Sequence, residues 1–173
     1  MFCLLLLLLL SACTIGPAGK WSVGYSTTGA SIPAGTTTAS VQSFLNRASI
    51  VNPQLAQMLT DKLKDKILAQ TNLKIVTDRE GDANFEGTIE SYTSVPKAVT
   101  GGDNMVASLN QLKVTLKVKY TNSKSSEFDF DTSVSRYIEY PSDQLLEQVE
   151  RDKLPELVDL LVDDIFNKAF VNW

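Results

Sequence analysis

Leu112-Lys113-Val114-Thr115-Leu116-Lys117-Val118-Lys119-Tyr120 alternates apolar and polar residues without a break. Successive side chains of a strand point to opposite faces, so this stretch predicts a strand with one face buried and one face wet. A polar turn at Asn122–Ser126 follows. Phe128, Phe130, Val134 and Ile138 then carry the apolar side, with Glu127, Asp129 and Asp131 between them. Two alternating strands joined by a polar turn predict a hairpin. Pairing Tyr120 with Phe128 also sets Lys119 against Asp129, Lys117 against Asp131 and Lys113 against Ser135. In that register the apolar sides agree and charges of opposite sign face each other.

Working outward, Thr36–Phe44 reads as a first strand, rich in Thr and Val. Asn52-Pro53 is a helix start, a capping side chain followed by proline at the first helical position. Leu55, Met58, Leu59, Leu63 and Ile67 recur at helical spacing to about Thr71, while Asp61, Lys62, Lys64 and Asp65 lie off that stripe. Asn72 ends the helix. Leu73–Val76 begins extended structure, which is interrupted at Asp78–Asp82 and resumes over Asn84–Val95 with Phe85 and Ile89 inward. Pro96–Ser108 is a loop. Its Gly101-Gly102-Asp103 does not match a phosphate-binding loop, because no Lys-Ser/Thr follows at the needed spacing.

Ser142 can cap a last helix whose stripe runs through Leu145, Leu146, Val149, Leu154, Val158, Leu161, Ile165 and Ala169. Pro155 costs about 3 kcal/mol in a helix interior, so a kink or restart is expected there. The order is strand, helix, three strands, helix. One-faced helices and one-faced strands predict an α+β fold, a two-layer α/β sandwich with both helices on one face of a mixed four-stranded sheet. The other face, with Lys113, Lys117 and Lys119, meets water or a partner.

Ahead of this domain, Leu4–Leu10 is an unbroken apolar run ending in Leu10-Ser11-Ala12-Cys13. The run is too short to cross a bilayer, which takes about 20 residues. It fits a signal-peptide core of roughly 7–15 residues. Leu-Ser-Ala-Cys after such a run resembles the lipobox of bacterial lipoproteins. That resemblance implies cleavage before Cys13 and lipid on its sulfur and amine, and two or more acyl chains hold a protein stably on a membrane. Residues 1–12 are then a signal peptide, 13–35 a lipidated tether rich in Gly, Ser, Thr and Pro, and 36–173 the folded domain. No Lys or Arg precedes the apolar run, as a start codon lying further upstream would explain.

A domain of this length buries roughly 70% of its unfolded surface, enough for a core without staples. The chain has 16 basic and 20 acidic residues, net −4, which speaks against a nucleic-acid binder. It has no histidine, which excludes Ser-His-Asp and Cys-His nucleophiles and every His-ligated metal site. Cys3 leaves with the signal and Cys13 is the anchor, so no disulfide forms within the mature chain. No paired carboxylates or Cys cluster point to catalysis, a metal or a cofactor.

Several segments together resemble one family. They are the Cys13 start, Gly24-Tyr25-Ser26 before Gly29-Ala30-Ser31-Ile32-Pro33, and Val51-Asn52-Pro53. Ser135-Arg136-Tyr137 before Tyr140-Pro141-Ser142 and the ending Asp164–Trp173 complete the set. The sequence is similar to the LPS-assembly lipoproteins of the LptE family, in its Bacteroidetes branch; Pro155 departs from the helix formers expected there. The resemblance implies an outer-membrane lipoprotein, held in the periplasmic leaflet, that plugs an LptD-type β-barrel and assists delivery of lipopolysaccharide to the cell surface. It implies no enzyme activity and no cofactor. The absence of an acidic cluster after Cys13 fits retention on the periplasmic side. A lipid-anchored scaffold or pilotin subunit of another envelope complex is the alternative.

Under the LptE resemblance, Lys113, Lys117 and Lys119 span about 20 Å of one strand face at about 3.3 Å per residue. With Arg136 nearby they would meet the phosphates of lipid A. The competing reading pairs Lys117 with Asp131 and Lys119 with Asp129, leaving Lys113 as the informative cation.

Overall fold

The computed structural model describes residues 31–97 and 109–171. The expected signal peptide, Cys13 and most of the expected tether lie outside the described residues, as does most of the expected loop after Pro96.

Two helices pack on one face of a mixed open sheet. The elements run β1 (Thr38–Val41), β2 (Leu45–Asn46), α1 (Pro53–Gln70), β3 (Lys74–Ile75), β4 (Ala83–Lys97), β5 (Leu109–Asn122), a 3₁₀ turn (Ser126–Phe128), β6 (Phe130–Pro141) and α2 (Leu146–Phe170). The order across the sheet is β3-β1-β4-β5-β6, with β2 continuing along β4 beyond β1. The sheet therefore has six strands where four were expected. The first expected strand breaks at Gln42–Phe44, which turns the Phe44 ring onto Gly87. A Cβ at Gly87 would run into that ring. The interrupted segment 73–95 likewise splits into β3 and β4. β1 pairs parallel with both β3 and β4, while β4, β5 and β6 are antiparallel.

α1 begins as its sequence dictates. The Asn52 side chain accepts from the backbone N–H groups of Gln54 and Leu55 at 3.0 and 3.2 Å. Such a cap contributes about 1 kcal/mol. Leu55, Leu59, Leu63 and Ile67 are fully buried against the sheet. α2 departs from expectation twice. Its first residue is Leu146, and Leu145 at the cap position supplies no side-chain hydrogen bond, so Ser142 does not cap it. The helix also runs unbroken through Pro155. The proline leaves the Arg151 carbonyl without its i+4 donor, yet Arg151 is exposed, where water can serve. Ten buried residues on the same helix, from Val149 to Phe170, outweigh the remaining cost.

The helices lie side by side and parallel. Lys62 meets Asp159 at 2.6 Å and Lys66 meets Asp163 at 2.5 Å, one helical turn further along both. Between the layers Phe85, Tyr120, Phe166 and Phe170 form an aromatic cluster, with ring centroids 4.8–5.8 Å apart. Each such pair adds about 0.5–1.5 kcal/mol to the burial itself. Near the other end the buried Tyr92 hydroxyl donates to Glu150 of α2 at 2.5 Å. Burial first, and then the adjacent Glu150 carboxylate, raise the Tyr92 pKa above the ordinary phenol value.

The hairpin forms, but two residues out of the expected register. Tyr120 faces Phe130, Lys119 faces Asp131, Lys117 faces Ser133, and Lys113 faces Tyr137. The turn is the reason. Ser125 caps the 3₁₀ turn by accepting from the Glu127 N–H, and the Asp129 carboxylate accepts from the Asn122 N–H at 2.7 Å. Asp129 is thus spent closing the connection and is not opposite Lys119.

Candidate functional site

A shift of two residues leaves every side chain on its own face, so the outer sheet surface keeps its composition. β5 presents Lys113, Lys117 and Lys119 there, all exposed. Lys117 Nζ lies 3.5 Å from Asp131, a diagonal neighbour, and Lys119 Nζ lies 3.4 Å from Glu86 on β4. Between the charges runs a polar row: Thr115 and Ser135 hydroxyls share a hydrogen bond of 3.1 Å, and Ser133 donates to Glu90 at 3.3 Å. At the end near Pro141, Lys97 meets Glu139 at 2.5 Å, and that carboxylate raises the Lys97 pKa above the ordinary ammonium value.

Lys113 is different. Its cross-strand neighbours are Thr93 and Tyr137, and among the described residues no acid lies within ion-pair distance of it. Tyr137 is 54% exposed, a large aromatic surface beside an unneutralised ammonium.

Arg136 is not part of this surface. It sits opposite Val114, an inward position, and its side chain reaches α2, where Nε and Nη2 donate to the two carboxylate oxygens of Asp164 at 2.6 Å each. This bidentate pair, first through its hydrogen bond and then through the charge of Asp164, holds the Arg136 pKa above its ordinary value. The expected grouping of Arg136 with the three lysines is corrected by parity: 134, 136 and 138 share one side of β6.

One feature went unread in the sequence. Asp82, ahead of β4, accepts from the backbone and hydroxyl of both Thr37 and Thr38 at 2.9–3.1 Å. Lys124 lies 3.1 Å from its other oxygen. These donors, led by the Thr37 N–H, hold its pKa well below the usual carboxylate range. A pairing of Thr37 and Thr38 with Asp82, more than forty residues later, has no local signal, so only the fold reveals this clasp on the start of β1.

Other chemistry is sparse. A shallow cleft of about 410 Å³ beside Ser40, Ser43 and Asn84 holds Lys64 and Arg79 together with Asp78 and Glu80, and so favours neither sign of ligand. Among the described residues no group of three or more His, Cys, Asp or Glu side chains could hold a metal ion. None of the described helices is long and apolar enough to cross a membrane.

Solved structures resemble this chain in fold. A minor lipoprotein of Acinetobacter baumannii is 14% identical over 77% of this chain and 91% of its own, with a TM-score of 0.49. A lipoprotein of Neisseria meningitidis is 12% identical over 76% and 99%, with a TM-score of 0.41. A hypothetical protein of Chlamydia trachomatis is 6% identical over 79% and 99%, with a TM-score of 0.52, which speaks for the shared architecture alone. No curated protein matches the chain. The family model described as LptE, lipopolysaccharide-assembly, matches residues 36–169, from the lead into β1 to the last turn of α2. With three quarters of its length matched to that model, this chain belongs to the LptE family of lipopolysaccharide assembly.

Proposed function

We propose that the protein is an outer-membrane lipoprotein of lipopolysaccharide assembly. Anchored through a lipidated Cys13 in the periplasmic leaflet, it seats in the lumen of an LptD-type β-barrel and assists passage of lipopolysaccharide to the surface. The observation that carries this reading is the family match over residues 36–169, which takes in every described strand, α1 and all but the last residue of α2. Its role there is to fill space and bind.

On this reading the outer sheet face meets the lipid phosphates. Lys113 supplies the free charge, Lys117 and Lys119 can exchange their exposed carboxylate partners for phosphate, and Arg136 holds α2 against β6 and takes no part. Exposed ion pairs contribute only about 0–1 kcal/mol, so such an exchange costs little.

Affinity purification from detergent-solubilised membranes tests the partner. A large outer-membrane β-barrel should copurify. A complex lacking any barrel and built on another envelope machine would replace this reading with that of a scaffold or pilotin.

A further inference from the structure

Two adjoining rows of the outer face run across β4, β5 and β6. One holds Thr93, Lys113 and Tyr137, the other Val95, Gln111 and Glu139. Neighbours within a row are about 5 Å apart, and the rows are about 7 Å apart, the two-residue step of a strand. Among the described residues, Val95 and Tyr137 are the large hydrophobics exposed on this side of β4–β6. They stand at opposite corners with Lys113 and Gln111 between them, so no apolar strip runs along the face. An acyl chain gains affinity in proportion to the apolar area it buries, and this face offers it little.

The Lys113–Tyr137 pair suits other chemistry. Among the described residues the Lys113 ammonium has no ion pair, and the Tyr137 ring meets no other ring and no cation. Lysine is a compact point charge on a flexible stem, suited to a phosphate oxygen. The exposed tyrosine ring beside it presents a flat face with partial negative charge. One face of a pyranose ring carries C–H groups polarised positive by the neighbouring oxygens, and such a face packs on an aromatic ring. Its hydroxyls then lie at the rim and need donors and acceptors. The half-buried Gln111 amide in the next row supplies both. Glu139 is already held by Lys97.

We propose that Lys113, Tyr137 and Gln111 form a subsite for a phosphorylated sugar. The phosphate meets the Lys113 ammonium, the sugar ring lies on Tyr137, and a hydroxyl at its rim bonds to Gln111. This rests on the reading that the outer face meets lipid phosphates, and it adds what is recognised there: the saccharide, with the acyl chains held elsewhere. Tyr137 sets the specificity, because a free phosphate engages the charge without the ring. The other two lysines cannot replace Lys113 in this. Lys117 lies between Thr88 and Ser133, and Lys119 between Glu86 and Asp131, so neither has an aromatic neighbour across the strands.

Calorimetric titration of the full chain in detergent, with lipopolysaccharide stripped of its acyl chains as the probe, tests the subsite. The parent should bind this phosphorylated saccharide, and phosphatase treatment of the probe should weaken binding about tenfold. Tyr137→Thr, which keeps a strand-forming residue, should also weaken it about tenfold, whereas Tyr137→Phe should bind as the parent does. Melting temperatures should stay level, since the ring has no partner to lose. Inorganic phosphate should not distinguish Tyr137→Thr from the parent. Equal saccharide binding by Tyr137→Thr and the parent, with Lys113→Glu still weaker, overturns the subsite and leaves the phosphate reading standing. If neither substitution matters, both fall. Binding of intact lipopolysaccharide with none of the deacylated probe also overturns the subsite, because the acyl chains would then carry the contact.

Discussion

Lys113 keeps its charge between a threonine and an exposed tyrosine, while its neighbours on the strand spend theirs on carboxylates. If the outer face meets lipid phosphates, Lys113→Glu should weaken binding of purified lipopolysaccharide about tenfold, equivalent to about 1.4 kcal/mol. The melting temperature should barely move, because no partner is lost. Binding as tight as the parent's would place the lipid contact elsewhere. Asp82 makes the opposite kind of prediction, on stability alone. Its folded pKa lies below its unfolded one, so its contribution is present above the ordinary carboxylate range, about pH 4. That contribution is lost as pH falls through the lower folded value. Asp82→Asn should therefore lower the melting temperature clearly at pH 7 and progressively less on acidification toward pH 2. A gap that stays constant from pH 7 to pH 2 would contradict the clasp.

The hairpin shows what an element reveals of itself. Alternation from Leu112 to Tyr120 establishes which side chains face the helices, and the fold agrees. Register is another matter. A slip of two residues changes every cross-strand partner while leaving both faces intact, so alternation cannot detect it. The decision rests on the turn, where the Asp129 carboxylate takes the Asn122 N–H. Lys119→Glu should accordingly cost about 0.2–1 kcal/mol in chemical denaturation through repulsion with Glu86. Adding Glu86→Lys should recover it, whereas adding Asp129→Lys should deepen the loss. Recovery by Asp129→Lys would restore the register read from charge pairing. Helix α1 was fully legible, since Asn52-Pro53 and the Leu55–Ile67 stripe are local signals. Asn52→Ala should cost about 1 kcal/mol. In α2 the proline dominated the local reading, and burial of Leu157, Val158, Leu161 and their neighbours overrode it.

For the whole molecule, one-faced helices and one-faced strands were enough to give two layers, because each apolar face must find another. The strand order was not legible. Placing β1 between β3 and β4 depends on parallel pairings across forty residues, and periodicity within a segment holds no information about them. The outer face could be anticipated as a surface, and Arg136 could have been excluded from it by parity with Val134 and Ile138. That Lys113 faces Thr93 and Tyr137, with no acid opposite it, needed the true register. The absence of histidine bounded the chemistry at once, and the family match supplied what physical pattern could not, a role in lipopolysaccharide assembly. That role is tested most directly by depleting the protein in its own cell and measuring lipopolysaccharide at the outer surface. The account predicts a fall in surface lipopolysaccharide and its accumulation on the inner side of the outer membrane. Normal surface lipopolysaccharide after complete depletion would contradict it.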